Sequence, residues 1–286
     1  MHMKFIDTHA HLYDEAFSGE EDLAVERAVG EGVTKIIFPD IDSATRETMF
    51  ALARRHPGTV FPCVGLHPTS IGADWEQELG KLEPWLSEDI LAIGEIGMDC
   101  YWSKEFIKEQ QTALRLQLEL ADRLSLPVII HSRESTELII NVLKECRHLS
   151  LKGVFHAFSG SLETYRELQK YGDWYVGIGG VLTYKKASIA ETVKNIPPDR
   201  IVLETDSPYL TPVPFRGRRN ESGYIPHIAA KLAEITGIPL GTLSKILAGI
   251  SDSPKLVNMV AICRALECTP QDILEYRPEE EQPNEE

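Results

Sequence analysis

Two histidines, His9 and His11, stand one residue apart near the start of the chain, directly after the apolar residues Phe5 and Ile6. In a β-strand, side chains at positions i and i+2 point to the same face. If this segment is extended, both imidazoles reach the same side and can share one metal ion. A histidine at a strand end is also commonly a hydrogen-bonded structural residue, so the pair alone predicts no specific chemistry.

Five further side chains with metal-binding chemistry stand at the ends of later apolar runs. They are His67, Glu95, His131, His156 and Asp206. Each also has a simple structural alternative, and Asp206 for example could cap the turn before Pro208. Buried together on one rim, however, these polar groups would need partners, and metal ions supply such partners.

The ligand types predict two divalent metal ions, of which zinc, magnesium and manganese are the candidates. One ion is predicted to bind His9, His11 and Asp206, and the second His131 and His156, with Glu95 as the bridge between them. Two ions ~3.5–4 Å apart can clamp the attacking and leaving oxygens of a displacement.

Eight short apolar runs must position these side chains, and amphipathic helical patterns lie between them. The runs span residues 3–7, 34–40, 60–68, 90–99, 126–132, 151–158, 174–180 and 200–208. Such runs are typical of buried parallel strands. Eight strand–helix alternations predict an α/β fold, a (β/α)8 TIM barrel of ~250 residues with a C-terminal helical extension. A doubly wound open sheet is the alternative. Barrels gather their active sites at the carboxyl ends of the strands, where all seven side chains would meet.

The composition is that of an ordinary soluble protein of 286 residues with a formal net charge of −15. This charge argues against broad nonspecific binding of nucleic acid, although a local cationic site remains compatible with it. No apolar run reaches the ~18 residues of a membrane span. Five scattered cysteines and the absence of a signal-peptide pattern predict reduced thiols and a cytoplasmic location.

Six segments stand in a fixed order in the chain: "DTHAHL", "GLHP", "AIGEIGMD", "PVIIHSR", "HAFSG" and "ETDSPYLTPVPFRGRRNE". Together, from residue 4 to about 250, they resemble the TatD family of metal-dependent hydrolases. The resemblance implies a metal-dependent barrel that acts as a deoxyribonuclease, often a 3′→5′ exonuclease. It also implies a set of metal ligands, namely His9, His11, Glu95, His131, His156 and Asp206, with His67 in the pocket. Departures occur at Cys100, where the family often has an aromatic residue, and in "NESGY", which often contains Asn-Glu-Pro.

Asp206 and Glu95 are the predicted catalytic residues, because Asp206 can orient the attacking water and take its proton. Arginines bind phosphate oxygens in a bidentate manner. The predicted substrate contacts are therefore Arg133, Arg216, Arg218 and Arg219, together with His67 in the pocket. The alternative is that these arginines pair with the excess acidic residues. The predicted substrate is DNA, single-stranded or at 3′ ends.

Two other functions stay open. One keeps the site but changes the substrate, as in an ester or amide hydrolase acting on RNA or aminoacyl-tRNA. The other is DNA-binding regulation, because residues 232–276 weakly resemble a Cro/C1-type helix-turn-helix. A structural appendage is the preferred interpretation, since Lys245 and Ser244 are the main candidate base contacts in the supposed recognition helix. The predicted domains are the hydrolase barrel (1–250), a helical extension (251–277) and a disordered acidic tail (278–286).

Overall fold

The eight apolar runs form eight parallel strands in the computed structural model, which describes residues 3–247. The helical extension and acidic tail predicted for 251–286 lie outside the described residues. The strands are β1 (Phe5–Asp7), β2 (Val33–Phe38), β3 (Val60–Pro62), β4 (Ile93–Asp99), β5 (Val128–Arg133), β6 (Lys152–Phe155), β7 (Asp173–Ile178) and β8 (Ile201–Leu203).

These strands form a closed ring. β1 to β3 pair in chain order, and so do β4 to β8. Two isolated parallel bridges join the two sets, Val64 with Ile93 between β3 and β4, and Ala10 with Ser207 beyond β1 and β8. The predicted barrel is therefore confirmed, and the open doubly wound sheet was the wrong alternative.

Helices surround the barrel. In residues 3–247 they are α1 (Glu21–Gly30), α2 (Arg46–Arg55), α3 (Trp75–Gly80), α4 (Ile107–Leu124), α5 (Thr136–Glu145), α6 (Leu162–Leu168), α7 (Ile189–Val193), α8 (Ile225–Thr236) and α9 (Leu240–Leu247). α4 shows the common pattern, since it buries Ala113, Leu114, Leu118 and Ala121 at helical spacing and exposes its charged residues. No helix in this part of the chain is long and apolar enough to cross a membrane.

Several strands are shorter than their apolar runs. β3 ends at Pro62 and β8 at Leu203, whereas the runs continue to residues 68 and 208. β1 likewise ends at Asp7, before either histidine of the first pair. The remaining residues of these runs lie beyond the ladder and form the loops of the barrel mouth, where their polar side chains meet.

α8 and α9 belong to the wall of the barrel. α8 buries Ile228, Ala229 and Leu232, and α9 packs against α8, β1 and β8. α9 lies within the predicted helix-turn-helix, but it buries Leu243 and Ser244. A recognition helix must present its side chains to a DNA groove, so this packing favours the structural interpretation of α9.

Candidate metal centre

The seven side chains singled out in the sequence meet at the carboxyl ends of the strands. His9 and His11 follow β1, Glu95 lies in β4 and His131 in β5. The other three stand in loops after β3, β6 and β8, namely His67, His156 and Asp206. Most of the group is buried, and Asp206, His131 and His67 keep the most exposed side chains. These three residues therefore form the open side of the cluster.

Glu95 stands at the centre of the cluster, and its two carboxylate oxygens face different histidines. Oε2 lies 3.0 Å from Nε2 of His9 and 3.9 Å from Nε2 of His11. Oε1 lies 2.9 Å from Nδ1 of His131 and 3.5 Å from Nε2 of His67. One carboxylate thus presents one oxygen to each of two sets of imidazoles, which is the geometry of a bridging ligand.

Three groups of possible ligand atoms lie around Glu95. They are His9, His11 and Asp206; His9, Glu95 and His156; and His67, Glu95 and His131, with the ligand atoms of each group within 4.8 Å of one another. Oδ1 of Asp206 is 3.7 Å from Nε2 of both His9 and His11. The grouping differs from the predicted one in two respects. His67, predicted as a substrate contact, stands with His131, whereas His156 stacks on His9 with ring centroids 3.5 Å apart.

The tautomer of His11 follows from its neighbours. The hydroxyl of Tyr13 donates to the carbonyl oxygen of Pro39, so it accepts the hydrogen bond that joins it to Nδ1 of His11 at 2.9 Å. Nδ1 of His11 therefore carries the proton, and Nε2 presents its lone pair to the centre. Nε2 of His9 lies 3.1 Å from Nε2 of His11, so two imidazole nitrogens face one point. A shared cation satisfies both.

His156 and His131 each face a second carboxylate behind the centre. Nδ1 of His156 lies 3.1 Å from Oε1 of Glu204, and Nε2 of His131 lies 2.9 Å from Oδ2 of Asp99. Both acids are buried. Such outer carboxylates orient a ligating imidazole and raise its basicity.

The charges of the cluster suit cation binding. Burial is the main cause that lowers the pKa of His11 to about 4 and that of His9 well below its usual value, so both rings are neutral. Burial alone would raise the pKa of Glu95, but the surrounding imidazoles hold it well below its usual range. Burial also raises the pKa of Asp206 to about 7.

Burial alone would lower the pKa of His156, but Glu204, Asp206 and Glu95 raise it to about 10, and hydrogen bonds to Asp99 and Glu95 raise the pKa of His131 against the same effect. His156 therefore carries a proton that a bound cation would displace. Imidazole nitrogens and carboxylate oxygens form a donor set that fits zinc or manganese.

Two buried aspartates hold the backbone of the ligands. Asp7 accepts hydrogen bonds from the amide of His9 at 3.2 Å and from the amide and hydroxyl of Thr205 at 2.9 and 2.6 Å. Asp40 donates its amide to the carbonyl of Gly94 at 2.9 Å, and its own carbonyl accepts the amide of Glu95 at 3.1 Å. The carboxylate of Asp7 thus ties the end of β1 to the residues after β8.

The four predicted substrate arginines differ in their surroundings. Arg219 donates to Glu20 at 2.8 Å and to Glu221 at 2.9 Å, which favours a structural role in pairing with the excess acids. Arg216 is exposed, with its guanidinium carbon 4.1 Å from the ring centroid of Tyr184. Two more exposed guanidinium groups belong to Arg133 and Arg218.

Comparison with known proteins defines the family. Residues 6–253 match the family model described as "TatD related DNase". The chain is 36% identical over 242 residues to the "Uncharacterized metal-dependent hydrolase YabD" of Bacillus subtilis, covering 84% of this chain and 94% of YabD. The chain belongs to the TatD family.

A second relative in the TatD family is YjjV of Escherichia coli, named an uncharacterized metal-dependent hydrolase and 34% identical over 249 residues, 85% of this chain and 95% of YjjV. The crystal structure of YjjV superimposes with a TM-score of 0.78 at 30% identity and covers 89% of this chain and all (100%) of that one. A TatD family hydrolase from Entamoeba histolytica has a TM-score of 0.74 at 24% identity and covers 87% and 97%, which supports the fold.

A second family model, the "Cro/C1-type HTH DNA-binding domain", matches residues 229–279. The match begins inside α8 and overlaps the end of the TatD match, so residues 229–253 are shared by both. The weak resemblance noted from the sequence is therefore confirmed as a family match. In the described part of the chain, the shared residues form the barrel-packed helices α8 and α9.

Sequence analysis missed the two outer carboxylates, Glu204 and Asp99. The available signal was proximity, because each acid stands close in the sequence to a predicted ligand. Glu204 is two residues from Asp206, and Asp99 is four residues from Glu95. Asp99 ends β4, the strand that contains Glu95, whereas Glu204 and Asp206 lie in the loop after β8, where the alternation of a strand does not apply.

Proposed function

We propose that this TatD-family metal-dependent hydrolase cleaves phosphodiester bonds of DNA as a 3′→5′ exodeoxyribonuclease with two divalent metal ions. The ions would be zinc, magnesium or manganese. Six ligands would hold them, namely His9, His11, Glu95, His131, His156 and Asp206, and the geometry adds His67 as a seventh candidate. The barrel unit up to about residue 250 would contain the whole catalytic site, in a cytoplasmic protein.

The position of Glu95 is the observation that carries the dinuclear proposal. Its side chain is 3% exposed, yet it lies among five imidazoles, and each of its oxygens faces a different subset of them. A buried carboxylate is costly unless positive charge lies beside it, and two bound cations would supply that charge to both of its oxygens. A single ion would leave one oxygen and its histidines without that partner.

Each group of residues at the site would have its own role in the reaction. When bound, two cations would act as Lewis acids and stabilise charge on the attacking and leaving oxygens. Asp206 lies at the open side of the cluster with its side chain 16% exposed, where Oδ2 can accept the proton of the attacking water. Arg216 and Arg218 would bind phosphate oxygens of the strand.

The choice of DNA over other esters rests on the family and on local charge. The matching family model describes DNases, and the exposed guanidinium groups stand at the end of β5 and after β8, at the mouth that holds the cluster. They allow a chain of net charge −15 to hold a polyanion locally. RNA and aminoacyl-tRNA esters are the alternative substrates of the same site.

A labelled single-stranded DNA of about 20 nucleotides tests the proposal. With the 5′ end labelled, a 3′→5′ exonuclease produces a ladder that shortens with time and releases 5′-mononucleotides. A chelator should abolish the reaction and added zinc or manganese should restore it. Release of the amino acid from aminoacyl-tRNA without cleavage of DNA would instead establish the deacylase alternative.

The match to the Cro/C1-type model favours one second candidate, sequence-specific binding of duplex DNA through the C-terminal residues. The burial of Leu243 and Ser244 in α9 argues against it. Gel retardation of duplex DNA by the full chain in the presence of a chelator separates binding from cleavage. Retardation that depends on sequence would support the regulator, and its absence would exclude it.

A further inference from the structure

A small aromatic surface lies beside the candidate metal centre and has no role in it. Tyr101 and Trp102 follow β4, and Arg133 is the last residue of β5, so the three stand together at the barrel mouth. Tyr101 is 51% exposed and Trp102 is 70% exposed. Their rings meet edge to face with centroids 5.0 Å apart. These three residues are called the aromatic shelf below.

Arg133 completes the aromatic shelf. Its guanidinium carbon lies 3.8 Å from the ring centroid of Tyr101 and 5.3 Å from that of Trp102. Within residues 3–247, no carboxylate forms an ion pair with this guanidinium, although acids outnumber basic residues in the chain. The rings hold the guanidinium in place by cation–π contact, and its charge stays available to an anion.

Asp99 fixes the aromatic shelf to the candidate metal centre. Oδ1 of Asp99 accepts the amides of Tyr101 and Trp102 at 2.9 and 3.1 Å. Oδ2 of the same carboxylate lies 2.9 Å from Nε2 of His131. The amide of Cys100 also donates to the carbonyl of Arg133 at 2.9 Å. The loop is therefore held by its backbone, and its distance from His131 is set by one buried side chain.

We propose that the aromatic shelf binds a nucleobase at or next to the 3′ end of single-stranded DNA, an inference that rests on the proposed function. An exposed indole with an unpaired guanidinium against it offers a π surface for a base and a cation for the adjoining phosphate. Tyrosine and tryptophan are enriched at binding surfaces, where one side of the ring is apolar and its polar tip stays in water. Stacking tolerates any base, as a nuclease without sequence preference requires.

The occupant must be an unpaired base. In a duplex end, the terminal base already stacks and pairs within the helix, so its face is not available to Trp102. The aromatic shelf therefore selects single strands and frayed or overhanging 3′ ends. It also places the phosphate of the stacked nucleotide beside Arg133, two residues from His131 in the same strand.

The test measures the coupling between one side chain and one base. Binding of a fluorescent ten-nucleotide single strand is followed by anisotropy with a chelator present, so that no hydrolysis occurs. The strand carries either all its bases or an abasic residue at the terminal or penultimate 3′ position. For the wild-type protein, one of the abasic strands should bind roughly tenfold more weakly, the lower part of the range for one stacked base.

Trp102→Ala should weaken binding of the intact strand by a similar factor and bind the intact and abasic strands equally. Trp102→Phe should restore the preference for the intact strand, because it keeps an aromatic face. Arg200→Ala is the matched control, since Arg200 also covers a tyrosine, with its guanidinium carbon 5.2 Å from the Tyr175 ring centroid, but stands before β8 at the opposite end of the barrel.

The proposal is overturned if the loss of affinity from Trp102→Ala and the loss of affinity from the abasic residue multiply when the two changes are combined. Independent effects of this kind would mean that the base lies elsewhere. Undetectable binding of the intact strand by the wild-type protein would overturn it as well. Failure of the proposed function has a different signature. In that case, no metal supports cleavage of DNA, whereas failure of the aromatic shelf alone leaves cleavage intact and removes only the coupling.

Discussion

Replacing Glu95 with glutamine should abolish hydrolysis and, separately, remove the stabilisation of the fold by metal ions. The amide keeps the size of the side chain and one oxygen that can accept from His131, so the barrel still folds. It loses the negative charge and one of the two oxygens, which in Glu95 lie 3.0 Å from His9 and 2.9 Å from His131. Because each oxygen faces a different set of imidazoles, one substitution weakens both halves of the site.

The expected magnitudes follow from this geometry. A ligand that binds only the folded state adds ~2.7 kcal/mol at a free concentration of 100 Kd. For a domain of this size, that corresponds to a rise in Tm of roughly 5–10 °C per site. The Glu95→Gln variant should lose most of this rise. Loss of ~4 kcal/mol of charge stabilisation in the transition state would lower kcat about 1000-fold.

Thermal unfolding with and without zinc or manganese, followed by circular dichroism, measures the first effect. Cleavage of labelled single-stranded DNA measures the second. Glu145→Gln is the control, because Glu145 forms an exposed ion pair with Arg115 on the helical layer. A Glu95→Gln variant that still gains Tm with metal and retains most of its activity would refute the bridging role. Loss of the native spectrum in the metal-free variant would show that Glu95 is needed for folding instead.

Four further predictions concern the outer residues of the site and the predicted substrate arginines. Glu204→Gln should weaken metal binding by about 10–100-fold in equilibrium dialysis, because Glu204 orients His156. Gly177→Ala should lower the free energy of unfolding by ~1–3 kcal/mol in a urea titration, because a Cβ there would lie 2.0 Å from Oε2 of Glu204. Arg216→Ala should raise KM for DNA by about tenfold, the loss of one charged hydrogen bond. Arg219→Ala should leave KM unchanged within about twofold and slightly lower Tm, because its guanidinium already bonds to two carboxylates.

Each of these has a matched control or a contrary outcome. Gly30→Ala tests the glycine effect, since nothing lies within 4 Å of a Cβ added there. Equal metal affinity of the wild-type protein and Glu204→Gln would mean that His156 needs no orienting acid or does not bind metal. If Arg219→Ala raises KM as much as Arg216→Ala, then Arg219 leaves its acidic partners to bind substrate, contrary to the structural role.

The fold was largely predictable, because the period and the length of the apolar runs indicate its strands and helices. Eight buried parallel strands need eight continuous apolar runs, and each run contains the observed strand or overlaps it closely, as β4 within 90–99 shows. The ends of the strands were less predictable. β3 and β8 end before their apolar runs do. A residue stays in a strand only while a neighbouring strand continues to offer hydrogen bonds to it, and the sequence of one run does not show this.

The C-terminal residues show a different limit. Residues 229–279 match a helix-turn-helix model, and local pattern alone cannot show where such a helix packs. The helical period of α9 is the same whether Leu243 faces a DNA-binding bundle or a barrel. Its burial beside β1 and β8 is a property of the assembled barrel.

Sequence alone determined which chemistry the site contains. Imidazole and carboxylate side chains at the ends of parallel strands must converge, because a barrel brings all those ends to one rim. Only the tertiary structure decided how these side chains divide into groups of possible ligands. It placed His67 with His131, stacked His156 on His9, and turned the two oxygens of Glu95 toward different histidines. These relations depend on side-chain rotamers and on loops between distant strands, and no periodicity along the chain encodes distances across the mouth of a barrel.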